Sequence, residues 1–588
     1  MSAVTGLEAV GSPRSLWGAM STGHRSALLI AGITLLAVSW QLRWGTIPDT
    51  SWLITVCERM LSGERLYADI YETNPPFTVW LYLPPVAAAK AMGIAPEILV
   101  QAWTLLAALA GLCLAGHVVR RAGFKEADRR FALAPLFYLM LTIYPGNAFS
   151  EREHIGMAFF LPLLALTAWR ARIDAQTSPG YGLAALVGAS GSVLLLVKPH
   201  YAVMVLAPAL FVCWRQGSLR PILALEYWVI GSVCTTYLAT VLIVHPEFVR
   251  DVYPVLADVY LKVKIFLPIV KRYCVTWLFL AFLCWRLWPV DRIPELASVA
   301  LLASVAGLLP LYIQGKGWAY HAYPAFLCMG CALLCLWALP AETRRGTARP
   351  GPLRPLMNPS SIVVIFGVVA SFMPFWVTQK PSDEIVAAIR GSTRQPTIMM
   401  IGSDIAMGHP LSRMVEGRWV STHVSDWLGA FAVYLSRRAQ REGNPAEAAY
   451  YDEMVNRYAI AKREEILQRR PDIINVRKDE KFWIDVLTER YGFGELMTSY
   501  RLLAEDQYMA IYLRKDYRPP NPLPSNADAS PAETQRCTPL PGRRDRKGSV
   551  FPCRTWLPHA FSRLRWRRSP SFPSSTSSAG GRSPTRVG

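Results

Sequence analysis

The chain has 588 residues, of which 52% are hydrophobic and 18% charged, with a mean hydropathy of +0.22 and a formal net charge of +20 at pH 7. That hydropathy excludes an ordinary soluble protein of this size, and the apolar runs are continuous rather than alternating, which excludes a closed β-barrel. Basic loops are what helical insertion requires on the cytoplasmic side, so the positive charge does not imply nucleic acid as a partner.

Apolar runs of roughly 16 to 23 residues recur, the length that crosses about 30 Å of hydrocarbon as helix. In chain order they predict spans at 27–43, 97–119, 131–148, 155–170, 181–197, 201–215, 224–245, 275–290, 296–313, 322–340 and 361–377. The expected fold class is a polytopic α-helical membrane protein with about 11 spans plus an interfacial helix, a small C-terminal α/β soluble domain and a disordered tail. Residues 1–26, with Arg14 and Arg25, are expected in the cytoplasm. The run Ala27 to Trp40 lacks a small-residue cleavage pattern, so it is expected to stay as a signal anchor.

A dense polar loop, 44–76, follows this first span. It holds Pro48-Asp49-Thr50-Ser51-Trp52 and then Gly63 through Pro76, with acids at Glu64, Asp69 and Glu72. Segment 77–93 opens after Pro75-Pro76, contains Pro84-Pro85 and carries Lys90. The stretch from Arg120 to Arg130 is strongly basic and belongs inside, so an even number of crossings must precede it. Segment 77–93 is therefore expected to lie in the interface or to re-enter, leaving 27–43 and 97–119 as the two crossings. The same alternation places Arg170/Arg172, Arg215/Arg220, Arg286/Arg292 and Arg344/Arg345/Arg349/Arg354 inside, and everything after Val377 outside. Lys262, Lys264, Lys271 and Arg272 are the exceptions; they either weaken the rule or serve an anionic ligand.

The transmembrane domain is thus 27–377. Residues 378–518 read as an outer-side soluble α/β domain with perhaps four strands. Pro396 to Gly402 and Asp472 to Val476 are the buried strands, Pro445 to Arg470 is a helix, and Met509 to Leu513 is an edge strand. Residues 519–588, rich in Pro, Ser and Arg, read as a disordered basic tail. The eleven cysteines form no paired C-x-x-C pattern, so no metal site is implied. Cys328, Cys331 and Cys335 share a helical face as packing residues.

Four polar clusters fall on the outer side: Asp49 with Glu58, Glu64, Asp69 and Glu72; Glu151-Arg152-Glu153-His154; Lys198-Pro199-His200; and Gln314 through His321, with Lys316 and Trp318. Such a set suits group transfer at a membrane surface. A carboxylate can act as general base, cations can hold an anionic phosphate leaving group, and Trp or Tyr can face a sugar. Blander readings stand beside these. Glu58 and Glu64 fit the wet face of a helix, Arg152 can simply pair with Glu151 or Glu153, Lys198 can snorkel, and His321 can be an ordinary interface residue. Asp49, beside Pro48 and Trp52, is the hardest to set aside.

Pro-Asp-x-x-Trp at Pro48–Trp52, then Gly-Glu-x-Leu-Tyr-x-Asp-x-Tyr-Glu-x-x-Pro-Pro at Gly63–Pro76, resembles the first outer loop of the GT-C glycosyltransferases. The nearest likeness is to the protein-mannosyltransferase-like group that includes the lipid A aminoarabinose transferase. The resemblance covers roughly 25–215 in motif and 25–380 in architecture. It implies a polyprenyl-phosphate sugar as donor, no nucleotide and no resident cofactor, with divalent metal dependence left open. It implies that Asp49 is the first-loop acid and Glu153 the second-loop acid, the two catalytic candidates. Glu72 with Pro75-Pro76 marks the start of the interfacial helix, and Lys198 contacts donor phosphate. Asn74 departs from the group, which often has lysine before the prolines. Lys198, Lys316 or His321 then supply the cation, with Glu151, His154, His200 and Trp318 completing the substrate-binding set.

The expected function is a multi-pass inner (plasma) membrane glycosyltransferase of the cell envelope, a hexosyl- or pentosyltransferase. Its partners are a polyprenyl-phosphate sugar, a lipid, glycan or protein acceptor, and membrane lipids. The rivals are a transporter or flippase of an anionic lipid-linked substrate, which would place ionisable groups within the spans, and a non-catalytic envelope-assembly protein on the same scaffold.

Overall fold

The computed structural model describes residues 21–44, 46–124, 133–264, 266–339, 359–376 and 381–519. The first twenty residues, most of the basic loops at 120–130 and 344–354, and the tail expected to be disordered lie outside the described residues.

All eleven segments expected as spans are helical within that range. They are α1 (Thr22–Trp44), α5 (Pro96–Arg121), α6 (Leu133–Thr142), α7 (Arg152–Ala171), α8 (Tyr181–Val197), α9 (Ala202–Gln216), α10 (Leu225–Val244), α11 (Val275–Leu287), α12 (Glu295–Gln314), α13 (Ala319–Ala338) and α14 (Pro359–Phe372). Six of them, α1, α5, α7, α10, α12 and α13, contain windows long and apolar enough to cross a membrane. The other five run 10 to 17 residues. This is a multi-pass helical membrane protein.

Helix α13 is the bundle's axis. It is buried throughout its apolar window and packs on α12, α7, α6, α11 and α14. Helices α1 and α10 sit at the other extreme, with apolar faces such as Leu35 and Ile243 open to lipid. Close approach depends on small residues, as expected where burying apolar surface gains little over lipid. A Cβ on Gly111 of α5 would lie 2.0 Å from the Ala158 carbonyl oxygen of α7.

The stretch read as a polar loop begins with a helix, and its second half, from Leu61 to Pro75, is turns and extended chain. Helix α2 (Pro48–Met60) starts with proline at its first turn, where a missing N–H costs nothing. Segment 77–93 forms two short helices, α3 (Pro76–Trp80) and α4 (Leu83–Met92), the second closed by Gly93 at φ 66°. Neither reaches span length, and α4 packs against α2 and α5.

Beyond the bundle, five strands form one sheet in the order β2-β1-β3-β5-β4. Strand β1 (Thr397–Ile401) runs parallel to β2 (Arg418–Trp419) and to β3 (Ile473–Arg477). Strand β5 (Met509–Arg514) is antiparallel to both β3 and β4 (Tyr500–Glu505). The Met509 stretch is therefore an inner strand rather than an edge. Its Met509, Ala510, Ile511 and Leu513 are buried, and the exposed edge falls to β4, where Arg501 and Leu502 face solvent. Helices α15 (Asp383–Ser392), α16 (Leu411–Met414), α17 (Trp427–Arg441), α18 (Pro445–Arg469) and α19 (Lys481–Tyr491) accompany the sheet. Asn444 caps α18, its side-chain oxygen accepting from the Glu447 N–H at 3.1 Å.

Candidate active site

The site forms where α2 and α7 start side by side. Ser150, held at φ 65°, makes the turn that launches α7, and its carbonyl accepts from Thr50 Oγ1 of α2 at 3.1 Å and from the Tyr82 hydroxyl at 2.5 Å. The first turn of α2 is thereby fastened to the residue before Glu151. Asp49 comes within 3.2 Å of Arg152 Nη1 as a result.

Arg152 is the hub. It also meets Glu151 at 3.1 Å and Glu153 at 3.5 Å. Lys198, at the tight turn after α8, reaches Glu153 at 2.6 Å and makes longer contacts of 3.3 Å to Gln314 Oε1 and to His321 Nε2. The Gln314 amide then donates to His200 Nε2 at 2.8 Å, so one glutamine connects Lys198 to His200. The Tyr320 ring lies beside both cations, 5.0 Å from the Arg152 guanidinium and 5.4 Å from the Lys198 ammonium, and attracts each.

Asp49, Glu153 and Lys198 thus belong to one ion network, although α2, α7 and the turn after α8 are far apart in sequence. Exposure separates the three carboxylates. The side chains of Glu151 and Glu153 are 2% and 0% exposed, whereas Asp49 keeps 22%. Burial pushes the Asp49 carboxyl above its ordinary range, opposed mainly by Arg152. Glu151 is driven further up, by burial and then by the Asp49 charge. Three carboxylates against two cations do not balance in a dry site, and a proton retained on Glu151 restores neutrality. His200 is held down to about 4 by burial first and by Lys198 next, so it is neutral and accepts from Gln314.

The other expected site residues sort differently. His154 is 1% exposed and turned away from the network. Its Nε2 donates to the Leu141 carbonyl at 2.7 Å and its Nδ1 accepts from the Ser150 N–H at 3.3 Å, which leaves neither nitrogen for a ligand. Its place in the expected substrate-binding set is therefore corrected to a structural one. Glu72 is likewise enclosed. It accepts from the Trp52 indole and from both the backbone N–H and the side-chain amide of Asn74, each at 2.7 Å, and so folds the loop. Asn74, where lysine was expected, serves this turn. Lys316 donates to the carbonyls of Tyr260 and Val263 and lies 4.2 Å from the Tyr260 ring centroid. Burial, then Lys264, pulls it down to about 7. Trp318 is 40% exposed and stands near Tyr260, Tyr320 and His321.

Glu58 and Glu64 are not a free wet face, since Glu58 pairs with Arg413 at 2.6 Å and Glu64 with Arg59 at 2.5 Å. Of the four cations that break the expected charge alternation, Lys262 donates to the Tyr451 hydroxyl at 2.9 Å. Among the described residues, no group of three His, Cys, Asp or Glu side chains is placed to hold a metal ion. Cys328 and Cys331 are buried in α13. Sequence reasoning underrated Arg152, which it gave at most a neighbouring pair, and assigned no role to Gln314 or Tyr320. Their signal was present: all three stand in polar runs bordering apolar helices.

No family model matches the chain, and no curated protein matches it in sequence. Its shape does have counterparts. The crystal structure of ArnT from Cupriavidus metallidurans bound to undecaprenyl phosphate is 14% identical and superposes with a TM-score of 0.50, covering 84% of this chain and 98% of that chain. The chain has the GT-C fold. The apo state of the same ArnT gives a TM-score of 0.47 over the same shares. The archaeal oligosaccharyltransferase AglB from Archaeoglobus fulgidus, in complex with an inhibitory peptide and a dolichol-phosphate, is 10% identical with a TM-score of 0.38, over 77% of this chain and 69% of that one. The network of Asp49, Arg152, Glu153 and Lys198 gathers at the starts of α2 and α7 and at the turn that ends α8.

Proposed function

We propose that the protein is a glycosyltransferase of the inner membrane. It moves a hexose or pentose from a polyprenyl-phosphate carrier onto a lipid, glycan or protein acceptor at the outer face. The observation that carries this reading is a buried ion network that leaves one carboxylate, Asp49, reachable beside two cations, in a chain whose fold is shared with a protein crystallised on undecaprenyl phosphate.

In this mechanism Asp49 takes the proton of the acceptor hydroxyl or amine. The acceptor atom bonds to the anomeric carbon, and the bond from that carbon to phosphate oxygen breaks with its electron pair leaving on polyprenyl phosphate. Arg152 and Lys198 receive that charge. Lys198 can do so by exchanging its two 3.3 Å contacts, to Gln314 and His321, while keeping the 2.6 Å contact to Glu153. Glu153 orients Lys198 and Arg152. A proton held on Glu151 lowers the negative charge that would repel the incoming phosphate. Backside attack inverts the anomeric centre. Trp318, 40% exposed, offers a flat face to a sugar.

Ionisable residues of the network gather at helix ends rather than along a path through the spans, which favours an enzyme over a flippase. The test is incubation of purified full-length protein with polyprenyl-phosphate sugars and candidate acceptors, followed by mass spectrometry. Release of polyprenyl phosphate together with a glycosylated product is the expected result. Movement of intact lipid-linked sugar between leaflets without bond cleavage would favour the transport reading instead.

A further inference from the structure

The helix that presents Asp49 is gripped along its length by the α/β region. Three consecutive turns of α2 are engaged. Trp52, one turn after Asp49, lies 5.2 Å from the His409 ring, which in turn lies 4.5 Å from Trp419 at the end of β2. One turn further, Thr55 accepts from the Arg413 guanidinium at 3.4 Å, and a turn beyond that Glu58 receives both of its Nη atoms, at 2.6 and 3.1 Å. Next to it, Arg59 donates to the Ser421 carbonyl at 2.8 Å. The chain leaving α2 is fastened as well: the Tyr71 N–H donates to the Thr422 carbonyl at 2.9 Å, and the Tyr71 ring stacks 4.7 Å from His423.

Arg413 is the residue that joins these parts. It sits on α16, and its Nε also reaches Glu97, in the first turn of the α5 span, at 2.5 Å. One planar fork therefore ties α2, a membrane span and the α/β region together, a geometry that lysine's single ammonium does not reproduce. The Arg413 side chain is 13% exposed, while Glu58 keeps 42% and Glu97 25%, so solvent screens the acids more than the guanidinium.

We propose that the α/β region is a positioning device for the catalytic helix, and that Arg413 is its principal positioning residue. By fixing the rotation and axial place of α2, it sets the distance from Asp49 to Arg152 and hence to the acceptor. Arg413 itself stands about 13 Å of helix away from Asp49, nine residues at 1.5 Å each to its partner Glu58. It touches no reacting atom. A displacement of about 1 Å at a reacting group lowers a rate by about a hundredfold, so loosening the far end of α2 is enough to slow transfer. This inference rests on the function proposed above for its kinetic arm, but not for its structural arm.

The experiment compares full-length wild type, Arg413→Met, Arg413→Lys and Glu58→Gln, the last breaking the same contact from the α2 side should Arg413→Met fail to fold. Amide hydrogen exchange is read across the chain, and steady-state transfer is read with the donor varied. In Arg413→Met and Glu58→Gln, exchange of amides 50–60 is expected to quicken at least tenfold while exchange in α13 stays unchanged. The kcat is expected to fall at least tenfold with donor KM moving less than threefold, and Arg413→Lys recovers part of it. Unchanged exchange in 50–60 overturns the proposal whatever the activity, and exchange that rises everywhere overturns it too by making Arg413 a residue of global stability. Quickened exchange confined to α2, in a protein whose wild type transfers no sugar, upholds the grip and refutes the proposed function.

Discussion

Lys198 gives the sharpest energetic test of the network. Its ammonium lies 2.6 Å from Glu153, which is fully buried. Two unit charges at that distance attract by about 6 kcal/mol at an effective dielectric of 20. Desolvation offsets much of that, but removing one partner strands the other, and the usual cost is ~3–5 kcal/mol. Lys198→Met leaves Glu153 with Arg152 alone, at 3.5 Å. The expected loss is therefore ~3–5 kcal/mol in denaturant unfolding of the detergent-solubilised protein, with transfer lowered by about 10²–10³-fold through the lost phosphate contact. Adding Glu153→Gln removes the stranded charge. The double variant should regain most of the stability, since a buried pair replaced as a whole is often close to neutral, yet transfer should stay low. Loss of under 1 kcal/mol in the single variant, or activity restored in the double one, would refute the reasoning.

Two further outcomes follow from packing and protonation. Gly111→Val drives a side chain into the Ala158 carbonyl and is expected to abolish recovery of folded protein, whereas Gly32→Val, which meets nothing within 4 Å, should purify like wild type; comparable size-exclusion yields would contradict this. His409 is held down to about 3 by burial first and by the Arg413 and Arg59 charges next. Between its unfolded value near ~6.5 and about 3 the unfolded chain binds a proton that the folded chain does not, so stability falls as pH drops through that window. His409→Phe keeps a ring between Trp52 and Trp419, and its Tm should fall less steeply below pH 6.5 than that of wild type; parallel slopes would count against the assignment.

The bundle was legible because apolar length is a one-dimensional signal. Each expected span contains a helix, whereas 77–93, expected as one interfacial or re-entrant segment, is two short helices. The network was legible in part. Charges at the ends of apolar helices must find partners, so Asp49, Glu153 and Lys198 could be grouped by expected side of the membrane, but not paired. The pairing depends on the Ser150 turn and on Arg152, whose guanidinium can serve several acids at once. The grip on α2 was hidden for a different reason. Glu58 and Glu64 look solvated in sequence, and Arg413 lies 355 residues from its partner Glu58. The Met509 strand was misplaced because alternation marks a strand without showing how many neighbours it has. His154 was misread because a histidine beside acids resembles a ligand until its two nitrogens are traced to backbone groups.

Single-turnover transfer by Asp49→Asn probes the proposed role of Asp49 as the base of a sugar transfer from polyprenyl phosphate. The fold is expected to stay intact by circular dichroism and donor binding to hold within a few fold, while the transfer rate falls by about 10²–10⁴-fold, the contribution of a general base. A rate equal to that of wild type on the true donor and acceptor would contradict it.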